Sequence, residues 1–541
     1  MDASSLPPLI QQMLQPEFYP HPVVEPIKLL QTHISYVLLT GDYAYKVKKP
    51  ANFGFLDFTT LERRHHFCQE ELRLNRRLSP ELYLAVLPIM TTFDPDQYQL
   101  ASAIEASQEA IEYAVQMRQF SQDGLFSHLF ERGELTTIQM QQLGQLVASF
   151  HSSAQTNAEI QQFGSVEAVS RVAQNSYNLS LAFVDRSQTP SQLDQTRAFT
   201  DQFFAEHGDW LQQRQAEGKI RECHGDLHLN NVCLYQDQIQ VFDCIEFNQE
   251  FRLIDVIYDA AFMVMDLEFQ GRPDLANTFL NAYLEQTGDY WGASLLPLYL
   301  SMRAYIRGNV NSLALNDPTI PEADKQQFQE RGAAYYQLAW QYTQRQQGQI
   351  LLMSGLSGAG KTTVARQVAQ SLNAIHLRSD AVRKQLAGIP LDQRGDTAGA
   401  YGSGIYTPEM TRKTYDRVLE LGIFLAQQGW PVVLDAKYDR QALRETVLAQ
   451  ARSQKIPLQI LHCTAPLDVL RDRLQKRKGD IADATANLLA DQQKAAEPFT
   501  ETEQAYVTTI HTDQALQAQL IQVIKRVEDW HESKSPSLEK H

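Results

Sequence analysis

Cysteine is scarce in this sequence, and long apolar runs and an excess of positive charge are missing. The 541 residues include five cysteines, none in a C-x-x-C pair, which argues against a disulfide framework or a thiolate zinc site. No apolar run approaches the roughly 18–20 residues of a membrane helix, and the start, MDASSLPPLI, lacks the basic segment of a secretory signal. With 48 basic against 64 acidic residues, non-specific wrapping of nucleic acid is disfavoured. These absences predict a cytoplasmic protein that does not use a membrane.

The length and the uneven charge indicate two domains. At roughly 100–200 residues per domain, 541 residues with 43% apolar content suffice for more than one hydrophobic core. From residue 350 onwards 24 basic and 22 acidic residues nearly balance, so the net charge of −16 arises in the first two thirds of the chain. The Gln-rich segment TQRQQGQ at 343–349 marks this change and predicts domains at 1–345 and 346–541. The acidic part either confers solubility or attracts a cationic substrate.

The segment GQILLMSGLSGAGKTTVARQVAQSL combines a short apolar strand at 350–353, a glycine-rich loop and an amphipathic helix. The loop has the P-loop pattern G-x4-G-K-T in its required context of strand, loop and helix. Its glycines allow backbone N–H groups to point at phosphate oxygens. Lys361 is predicted to reach the β- and γ-phosphates, and the Thr362 hydroxyl to bind Mg²⁺. The predicted nucleotide-binding residues of this loop are Gly355, Ser357, Gly358, Ala359, Gly360, Lys361, Thr362 and Thr363.

Acidic and basic side chains downstream fit the same kind of site. Asp380 follows a second predicted strand, where its carboxylate is a candidate acceptor for the proton of a substrate hydroxyl, or else the N-cap of the next helix. Asp435 ends the buried-type strand in GWPVVLDAKYDR and occupies the Walker B position that holds Mg²⁺. Arg473 and Arg477 share a helix face and either close over a transferring phosphate or form a solvated basic surface.

Together with the P-loop, these positions resemble the small-molecule P-loop kinases, namely the gluconate, adenylylsulfate and chloramphenicol kinases and the polynucleotide kinase relatives. The resemblance spans about 350–500. It implies an α/β domain with a parallel sheet that binds ATP and Mg²⁺ and transfers a phosphoryl group.

The stretch RECHGDLHLNNVCLYQDQIQVFDCIEFN carries a second set of residues suited to phosphoryl transfer. Asn231 stands five residues after Asp226, and Asp243 ends a predicted strand seventeen residues after it. In this spacing Asp226 is the candidate base for a substrate hydroxyl, and Asn231 and Asp243 are candidate Mg²⁺ ligands. The adjacent Asn230 is an alternative amide ligand, although the spacing selects Asn231. The segment HGDLHLNN resembles the aminoglycoside and choline kinase branch of the kinase-like phosphotransferases.

That resemblance implies a lysine on an upstream strand and a glutamate on the helix that follows it. The segment SYVLLTGDYAYKVKKP predicts a hairpin with Lys46 and Lys48 on one face. Lys46, which lies deeper in the strand, is the predicted phosphate lysine, and Lys48 is the alternative. Glu71 lies on the apolar stripe of a helix predicted over 60–78, and we expect it to pair with Lys46, or else with a local arginine.

The resemblance also implies an adenine contact and two acids behind the active site. The strand in EYAVQMRQF leads to a hinge, where backbone groups near Met117 would bind the adenine edge. A GxGxxG loop is absent, so the segment THIS at 32–35 would cover the phosphates. Asp255 and Asp259 match acidic positions of the family, where they either order the catalytic loop or line the acceptor pocket.

Over most of its length, the chain resembles bifunctional proteins that join an aminoglycoside-phosphotransferase-like domain to a P-loop kinase-like domain. This implies a two-lobed α+β protein-kinase-like domain at 1–345, with lobes at about 20–118 and 119–345, and then an α/β P-loop NTPase domain. Each domain is expected to bind MgATP and to phosphorylate a hydroxyl of a small molecule. The alternatives are an ATP-binding regulator or sensor, and a nucleic-acid 5′-hydroxyl kinase in the C-terminal domain, which only the basic cluster at 476–478 favours.

Overall fold

The structure, a computed structural model, describes residues 6–54, 56–101, 110–317, 320–344, 346–393, 404–476, 481 and 489–532. The chain divides into two units. Unit 1 comprises Met1–Gln139, Phe150–Asn178 and Thr200–Asp266, and unit 2 comprises Met140–Ser149, Leu179–Phe199 and Leu267–His541. Within the described ranges, no helix combines the length and the apolar character needed to cross a membrane.

This division does not follow the sequence-predicted boundary near residue 345. Residues from Leu267 onwards group with the C-terminal sheet, because helices such as Pro273–Thr287 contact its strands and helices. The change in charge near residue 345 does not predict this packing, because contacts between distant segments do not alter the local amino-acid composition. The domain limits at 345 and 346 therefore stay a prediction.

An antiparallel sheet forms the N-terminal part of unit 1. Its strands are β1 (Lys28–Gln31), β2 (Ser35–Leu39), β3 (Tyr43–Lys48), β4 (Tyr83–Thr91), β5 (Tyr98–Leu100) and β6 (Glu112–Arg118). They lie in the order β1-β2-β3-β6-β4-β5. The predicted hairpin is confirmed, because β2 and β3 pair antiparallel on either side of Gly41. Tyr45 and Val47 point into the core, so Lys46 and Lys48 share the opposite face of β3.

Helices account for most of the remaining structure. The helix predicted over 60–78 is confirmed at 61–75, and Thr60 caps it by accepting a hydrogen bond from the Arg63 N–H. The helices described are α1 (Pro8–Met13), α2 (Leu61–Asn75), α3 (Phe126–Glu131), α4 (Thr137–Ser153), α5 (Ala158–Gln161), α6 (Val166–Ser180), α7 (Pro190–Ala216), α8 (Gln249–Arg252), α9 (Val256–Phe269), α10 (Pro273–Thr287), α11 (Leu296–Leu313), α12 (Glu322–Tyr342), α13 (Lys361–Leu372), α14 (Ser379–Ala387), α15 (Pro408–Gln427), α16 (Gln441–Ser453), α17 (Leu467–Lys476), α18 (Leu489–Ala495), α19 (Glu501–Gln504) and α20 (Leu516–Glu532). Short 3-10 segments lie at Pro16–Phe18, Gln122–Gly124, Gln162–Gly164, Leu181–Phe183, Leu229–Asn231, Tyr290–Leu295, Ala314–Asn316 and Gly404–Tyr406.

Two small antiparallel ladders in unit 1 frame the HGD segment. One joins β7 (Ile220–Glu222) to β10, and the other joins β8 (Val232–Tyr235) to β9 (Gln238–Val241), where β10 is Leu253–Asp255. The loop at 223–231 connects β7 to β8. Asp243 follows β9 by two residues. The two ladders therefore fix both ends of the segment that carries the predicted base and metal ligands.

A parallel sheet forms the C-terminal part of unit 2. Its strands are β11 (Gln349–Ser354), β12 (Ile375–Arg378), β13 (Pro431–Asp435), β14 (Leu458–Thr464) and β15 (Val507–His511). They lie in the order β12-β13-β11-β14-β15, and every neighbouring pair is parallel. All residues of β11 are buried, as its apolar run predicts. The antiparallel sheet with helices and this parallel sheet confirm the predicted fold class, α+β followed by α/β.

Candidate functional sites

The loop after β7 brings Asp226 and Asn231 together. The Asn231 Nδ2 donates to the Asp226 carboxylate at 3.0 Å and to its backbone carbonyl at 2.9 Å, so the Asn231 carbonyl oxygen points away from Asp226. The His228 Nε2 lies 3.2 Å from the same carboxylate, whose side chain is 33% exposed. Asn231 is buried, whereas the alternative ligand Asn230 is exposed. The burial of Asn231 and its hydrogen bonds to Asp226 favour it over Asn230 as the candidate amide ligand of Mg²⁺.

A buried acid, Asp259, accepts hydrogen bonds from the backbone of this loop. The Asp259 carboxylate accepts hydrogen bonds from the backbone N–H groups of His224 and Gly225, at 3.0 and 2.8 Å, and lies 3.0 Å from the His151 Nε2. Asp259 is fully buried. It therefore orders the loop at 223–231, which was one of the two roles that the sequence left open.

The second acid of that sequence segment has a similar role. The Asp255 carboxylate accepts two hydrogen bonds from the Arg214 guanidinium, at 2.8 and 2.7 Å, and both side chains are buried. Such a bidentate pair satisfies both charges without solvent. Asp255 accordingly anchors α7 to the start of α9.

Lys46 connects β3 to the proposed metal ligand and to α2. Its ammonium nitrogen is 2.6 Å from the Asp243 carboxylate and 2.8 Å from that of Glu71. Burial alone would lower the pKa of Lys46, but the charges of Asp243 and Glu71 outweigh it and raise this pKa well above 10.5. Asp243 itself has a φ of +61°, a conformation that non-glycine residues rarely adopt. Its backbone N–H donates to the Tyr83 hydroxyl at 3.3 Å.

Lys48, the alternative lysine, has different partners. Its fully buried ammonium donates to the Glu71 carboxylate at 2.6 Å and also to that of Glu246. Burial raises the pKa of Glu246, while the nearby lysines lower that of Glu71 to about 2 against the effect of burial. Glu246 was not singled out from the sequence. The sequence feature that could have pointed to Glu246 is the presence of a carboxylate in the largely apolar segment DCIEF, three residues after Asp243.

The residues of unit 1 fit a bound Mg²⁺. The backbone carbonyl of Asn231 accepts a hydrogen bond from the Phe242 N–H at 3.0 Å, which brings Asn231 beside the residue that precedes Asp243. An amide oxygen and a carboxylate, both hard donors, suit this ion. The partly exposed carboxylate of Asp243, at 46%, remains accessible to it.

Two expectations about nucleotide contacts in unit 1 stay predictions. Met117 lies one residue before the end of β6, with strand neighbours Ala44 and Tyr83 on its two sides. The segment 32–35 forms the turn between β1 and β2, closed by a hydrogen bond from the Thr32 N–H to the Ser35 carbonyl. Met117 lies beside the start of β3, whereas Ser35 pairs with Lys48 at its end, so a nucleotide that uses both positions must extend along β3.

The P-loop in unit 2 adopts the backbone that its glycines permit. Gly360, with a φ of +79°, is the N-cap of α13, and Lys361 is the first residue of that helix. The Lys361 ammonium donates to the Leu356 carbonyl at 2.9 Å, across the loop. Burial lowers its pKa below 10.5, while the charges of Asp435 and Asp380 oppose the shift. The loop N–H of Ser357 donates to the Gln492 side chain at 3.1 Å.

The other P-loop residues predicted to contact the nucleotide lie on the same turn. Gly358 and Ala359 are buried, Thr362 is half-buried, and Thr363 is exposed at the start of α13. Gln492, on α18, could not be found from the sequence because nothing in its local pattern distinguishes it from other exposed-type glutamines.

Two acids lie at the ends of neighbouring strands of the parallel sheet. Asp435 ends β13 and is buried, and its carboxylate is 3.1 Å from the His376 Nε2. Burial opposes ionisation, but His376, Arg378 and Lys361 outweigh it and lower the pKa of Asp435 to about 2. An ionised carboxylate at this place, with the Thr362 hydroxyl on α13, fits Mg²⁺ as well.

Asp380 lies in the first turn of α14 and is half-buried. Arg378 occupies the N-cap position, so the alternative assignment of Asp380 as that cap is wrong. The reason is that α14 begins at Ser379, two residues before the start that a cap at Asp380 requires, directly at the end of β12. The catalytic role of Asp380 stays a prediction.

The arginine pair predicted near residue 475 is described in part. Arg473 donates to the Thr512 hydroxyl and carbonyl, at 2.8 and 2.7 Å, and to the Gly358 carbonyl of the P-loop at 3.4 Å. It is half-buried against the loop rather than on a solvated face. Arg477 lies outside the described residues.

Comparisons with known proteins agree with both sites. The model of the phosphotransferase enzyme family matches residues 68–296, and that of an AAA domain family matches residues 350–499. An uncharacterized protein of Mycobacterium tuberculosis is 30% identical over 474 residues, which is 87% of this chain and 90% of that protein. An adenylyl-sulfate kinase of Myxococcus xanthus is 31% identical over 173 residues, 31% of this chain and 84% of that enzyme.

Among solved structures, a choline/ethanolamine kinase family protein from Mesorhizobium loti superposes with a TM-score of 0.37 and 11% identity, covering 62% of this chain and 99% of that one. The phosphotransferase match covers residues of the first site, the AAA match covers the P-loop, and the mycobacterial alignment spans 87% of the chain. The chain therefore belongs to one family with this mycobacterial protein: it is a kinase in which a domain of the phosphotransferase enzyme family precedes a P-loop kinase-like AAA domain.

Proposed function

We propose that this kinase transfers the γ-phosphate of ATP to hydroxyl groups of small molecules at two separate sites. The observation that carries the proposal is the ion pair of Lys46 with Asp243, next to the hydrogen-bonded pair of Asp226 and Asn231. A phosphoryl-transfer site needs this combination of a cation for phosphate, oxygen ligands for Mg²⁺ and a carboxylate that a substrate hydroxyl can reach. The similarity of the C-terminal part to an adenylyl-sulfate kinase supports a small acceptor there.

In the first site, Asp226 is the proton acceptor. Asn231 and His228 orient its carboxylate, which is open enough for a hydroxyl to approach. The acceptor hydroxyl gives its proton to Asp226 while its oxygen bonds to the γ-phosphorus, and the bond between that phosphorus and the bridging oxygen of ADP breaks. The Lys46 ammonium neutralises phosphate charge. Mg²⁺ held by Asn231 and Asp243 would supply further neutralisation of the β- and γ-phosphates.

In the second site, the P-loop and Lys361 hold the phosphates of a second ATP. The N–H groups around Gly360 and the start of α13 attract negative charge. Asp435 and the Thr362 hydroxyl would hold Mg²⁺. Asp380, whose charge acts on Lys361, accepts the proton of the second acceptor.

The test measures transfer of labelled γ-phosphate to a panel of sugars, aminoglycosides, nucleosides and other hydroxyl compounds. The full chain is compared with Asp226→Asn and Lys361→Ala. We expect each variant to lose one distinct activity and to keep the other, because each removes a group of only one site. Asp237→Asn, in an exposed turn, and Lys525→Ala, on the exposed face of α20, are the matched controls and should keep both activities.

The same experiment separates an enzyme from an ATP-binding sensor. A sensor would bind nucleotide in both sites but label no compound of the panel, and Lys361→Ala would change its conformation or its partner binding instead. Loss of both activities in either single variant would contradict two separate sites. Labelling of an oligonucleotide 5′ end that Lys361→Ala abolishes would replace the small-molecule acceptor of the second site by a nucleic acid.

A further inference from the structure

The strand β12 lies at the edge of the parallel sheet, and α10 covers its free side. The His376 N–H, which has no strand partner on that side, donates to the Asn281 Oδ1 at 2.7 Å. The Ala374 carbonyl accepts hydrogen bonds from the side chains of Asn277 and Asn281, at 2.9 and 3.0 Å. Since an edge strand exposes unpaired backbone groups, two asparagines one turn apart on α10 replace the missing strand.

A charged contact fixes the end of the same strand. The Arg378 guanidinium, which is buried, lies 3.3 Å from the Glu285 carboxylate on α10. The Gln385 side chain on α14 donates to the Glu285 backbone carbonyl at 2.8 Å. Asn277, Asn281 and Glu285 thus follow one face of α10 at intervals of four residues. That face runs along the whole length of β12.

Two side chains of β12, those of His376 and Arg378, act on Asp435 in the P-loop site. His376 is buried and its Nε2 is 3.1 Å from the Asp435 carboxylate. The charge of Arg378 also acts on that carboxylate. A carboxylate that holds a cation needs such neighbours, because their hydrogen bonds fix which oxygen faces the ion. The residues that orient Asp435 are therefore themselves held by a helix that precedes the P-loop by about seventy residues in the chain.

We propose that His376 and Arg378 are positioning residues of the P-loop site, and that α10 holds them in place through Asn281 and Glu285. The inference rests on the proposed function of this site in so far as Asp435 is taken as its Mg²⁺ ligand. It adds that the P-loop site is not complete within residues 346–541. A segment matched by the phosphotransferase family model, which ends at residue 296, supplies part of its support.

The test uses as its background the full chain with Asp243→Ala, which removes the carboxylate ligand proposed for Mg²⁺ in the first site. Mg²⁺ is titrated into a mixture of the protein and a fluorescent ADP analogue, and the fluorescence gives the Mg²⁺ affinity. The affinity for the analogue without metal is measured separately in EDTA. We expect His376→Leu to weaken Mg²⁺ binding about 10–100-fold and to leave binding in EDTA close to the background. His376→Gln keeps an N–H donor at this place and should restore most of the Mg²⁺ affinity. Asn281→Ala should cost about 3–10-fold.

Gln286→Ala is the matched control, because Gln286 lies on α10 and is exposed. It should leave the Mg²⁺ affinity unchanged. The inference is overturned if His376→Leu binds Mg²⁺ as tightly as the background, or if Gln286→Ala weakens it as much as Asn281→Ala, since α10 would then act only through stability. Equal loss of binding in EDTA for His376→Leu and His376→Gln would also overturn it. The proposed transfer reaction can fail in its own assay without affecting these binding results.

Discussion

Lys46 and Asp243 are 197 residues apart in the chain, yet the Lys46 ammonium lies 2.6 Å from the Asp243 carboxylate. The same ammonium contacts Glu71 on α2. A cation held between two carboxylates is in place to exchange one of them for a phosphate oxygen. This relationship defines the first site and makes its lysine distinguishable from Lys48.

Replacing Lys46 should damage the chemistry of the first site more than its stability. Lys46→Met removes a charge-assisted donor to the transferring phosphate, and we expect kcat/KM for ATP at that site to fall about 10²–10³-fold. Lys28→Met, on the exposed strand β1, is the control and should leave the rate unchanged. Steady-state kinetics with the acceptor found in the panel measures both. An unaltered kcat/KM for Lys46→Met would assign the phosphate contact to another residue.

Lys48 should show the opposite behaviour. Lys48→Met removes the ion pairs that Lys48 makes with Glu71 and Glu246. Both carboxylates are buried, and in the part of the chain that the structure describes only Glu71 of the two keeps a lysine partner, Lys46. Removing one partner of a buried ion pair costs about 3–5 kcal/mol of stability. Calorimetry should therefore show a lower unfolding temperature for the transition of unit 1.

A double variant checks this explanation. In the double variant Lys48→Met with Glu246→Gln, the buried carboxylate that lost its lysine partner is replaced by a neutral amide. Part of the lost stability should therefore return. If the double variant is less stable than Lys48→Met alone, the cost of the single substitution lies in packing and not in the unpaired carboxylate.

The sequence predicted the local structure around both candidate sites where spacing along the chain determines it. The P-loop is one strand, one turn and one helix, so its geometry follows from a dozen neighbouring residues and is confirmed. In the HGD segment, Asp226 and Asn231 lie on the same short loop and meet as their spacing predicts. Local patterns carry this information because the partners belong to the same or adjacent elements.

The contacts that the sequence could not predict all join distant segments. Period-two alternation puts Lys46 and Lys48 on one face but cannot say which meets Asp243. Glu246 and His376 look like ordinary members of a loop and of a buried strand. The support of β12 by α10 depends on tertiary packing, which neither charge nor periodicity records.

Gly225 should tolerate no side chain. It has a φ of +87°, and a Cβ there would lie 2.7 Å from the Phe251 carbonyl oxygen. Gly225→Ala therefore adds a clash with backbone to the cost of a left-handed conformation, and we expect a loss of about 2–4 kcal/mol. The displaced loop carries Asp226, so first-site activity should fall as well.

Gly218→Ala separates the two contributions. Gly218 has a φ of +69°, but a Cβ there would meet nothing within 4 Å. Only the conformational cost of about 1 kcal/mol should remain. Denaturation of the two variants in parallel measures the difference. Equal losses would mean that the Phe251 carbonyl moves aside and that the loop is not rigidly placed.

Glu222 should make unit 1 sensitive to acid. Its carboxylate accepts hydrogen bonds from Arg73 at 2.8 and 2.9 Å and from Arg77 at 3.2 Å, and lies 3.3 Å from Arg252. Burial of Glu222 opposes ionisation, but these guanidinium groups outweigh it and lower its pKa from 4.5 to about 2. Because the folded pKa is the lower one, the ionised carboxylate stabilises the folded state at every pH above 4.5. That contribution disappears as the pH falls from 4.5 towards 2.

Comparison with Glu222→Gln isolates this group from the other acids of the chain. At pH 7 the variant should be about 3–4 kcal/mol less stable than the unaltered protein, since each unit of pKa shift corresponds to about 1.4 kcal/mol. The difference should stay constant between pH 8 and about 6 and shrink below about pH 5, because protonation then removes the same charge that the substitution removes. Urea unfolding of both proteins at each pH gives the difference directly. A difference that does not change with pH would mean that the substitution costs packing or hydrogen bonds rather than charge, and that the three arginines stabilise unit 1 without ionisation of Glu222.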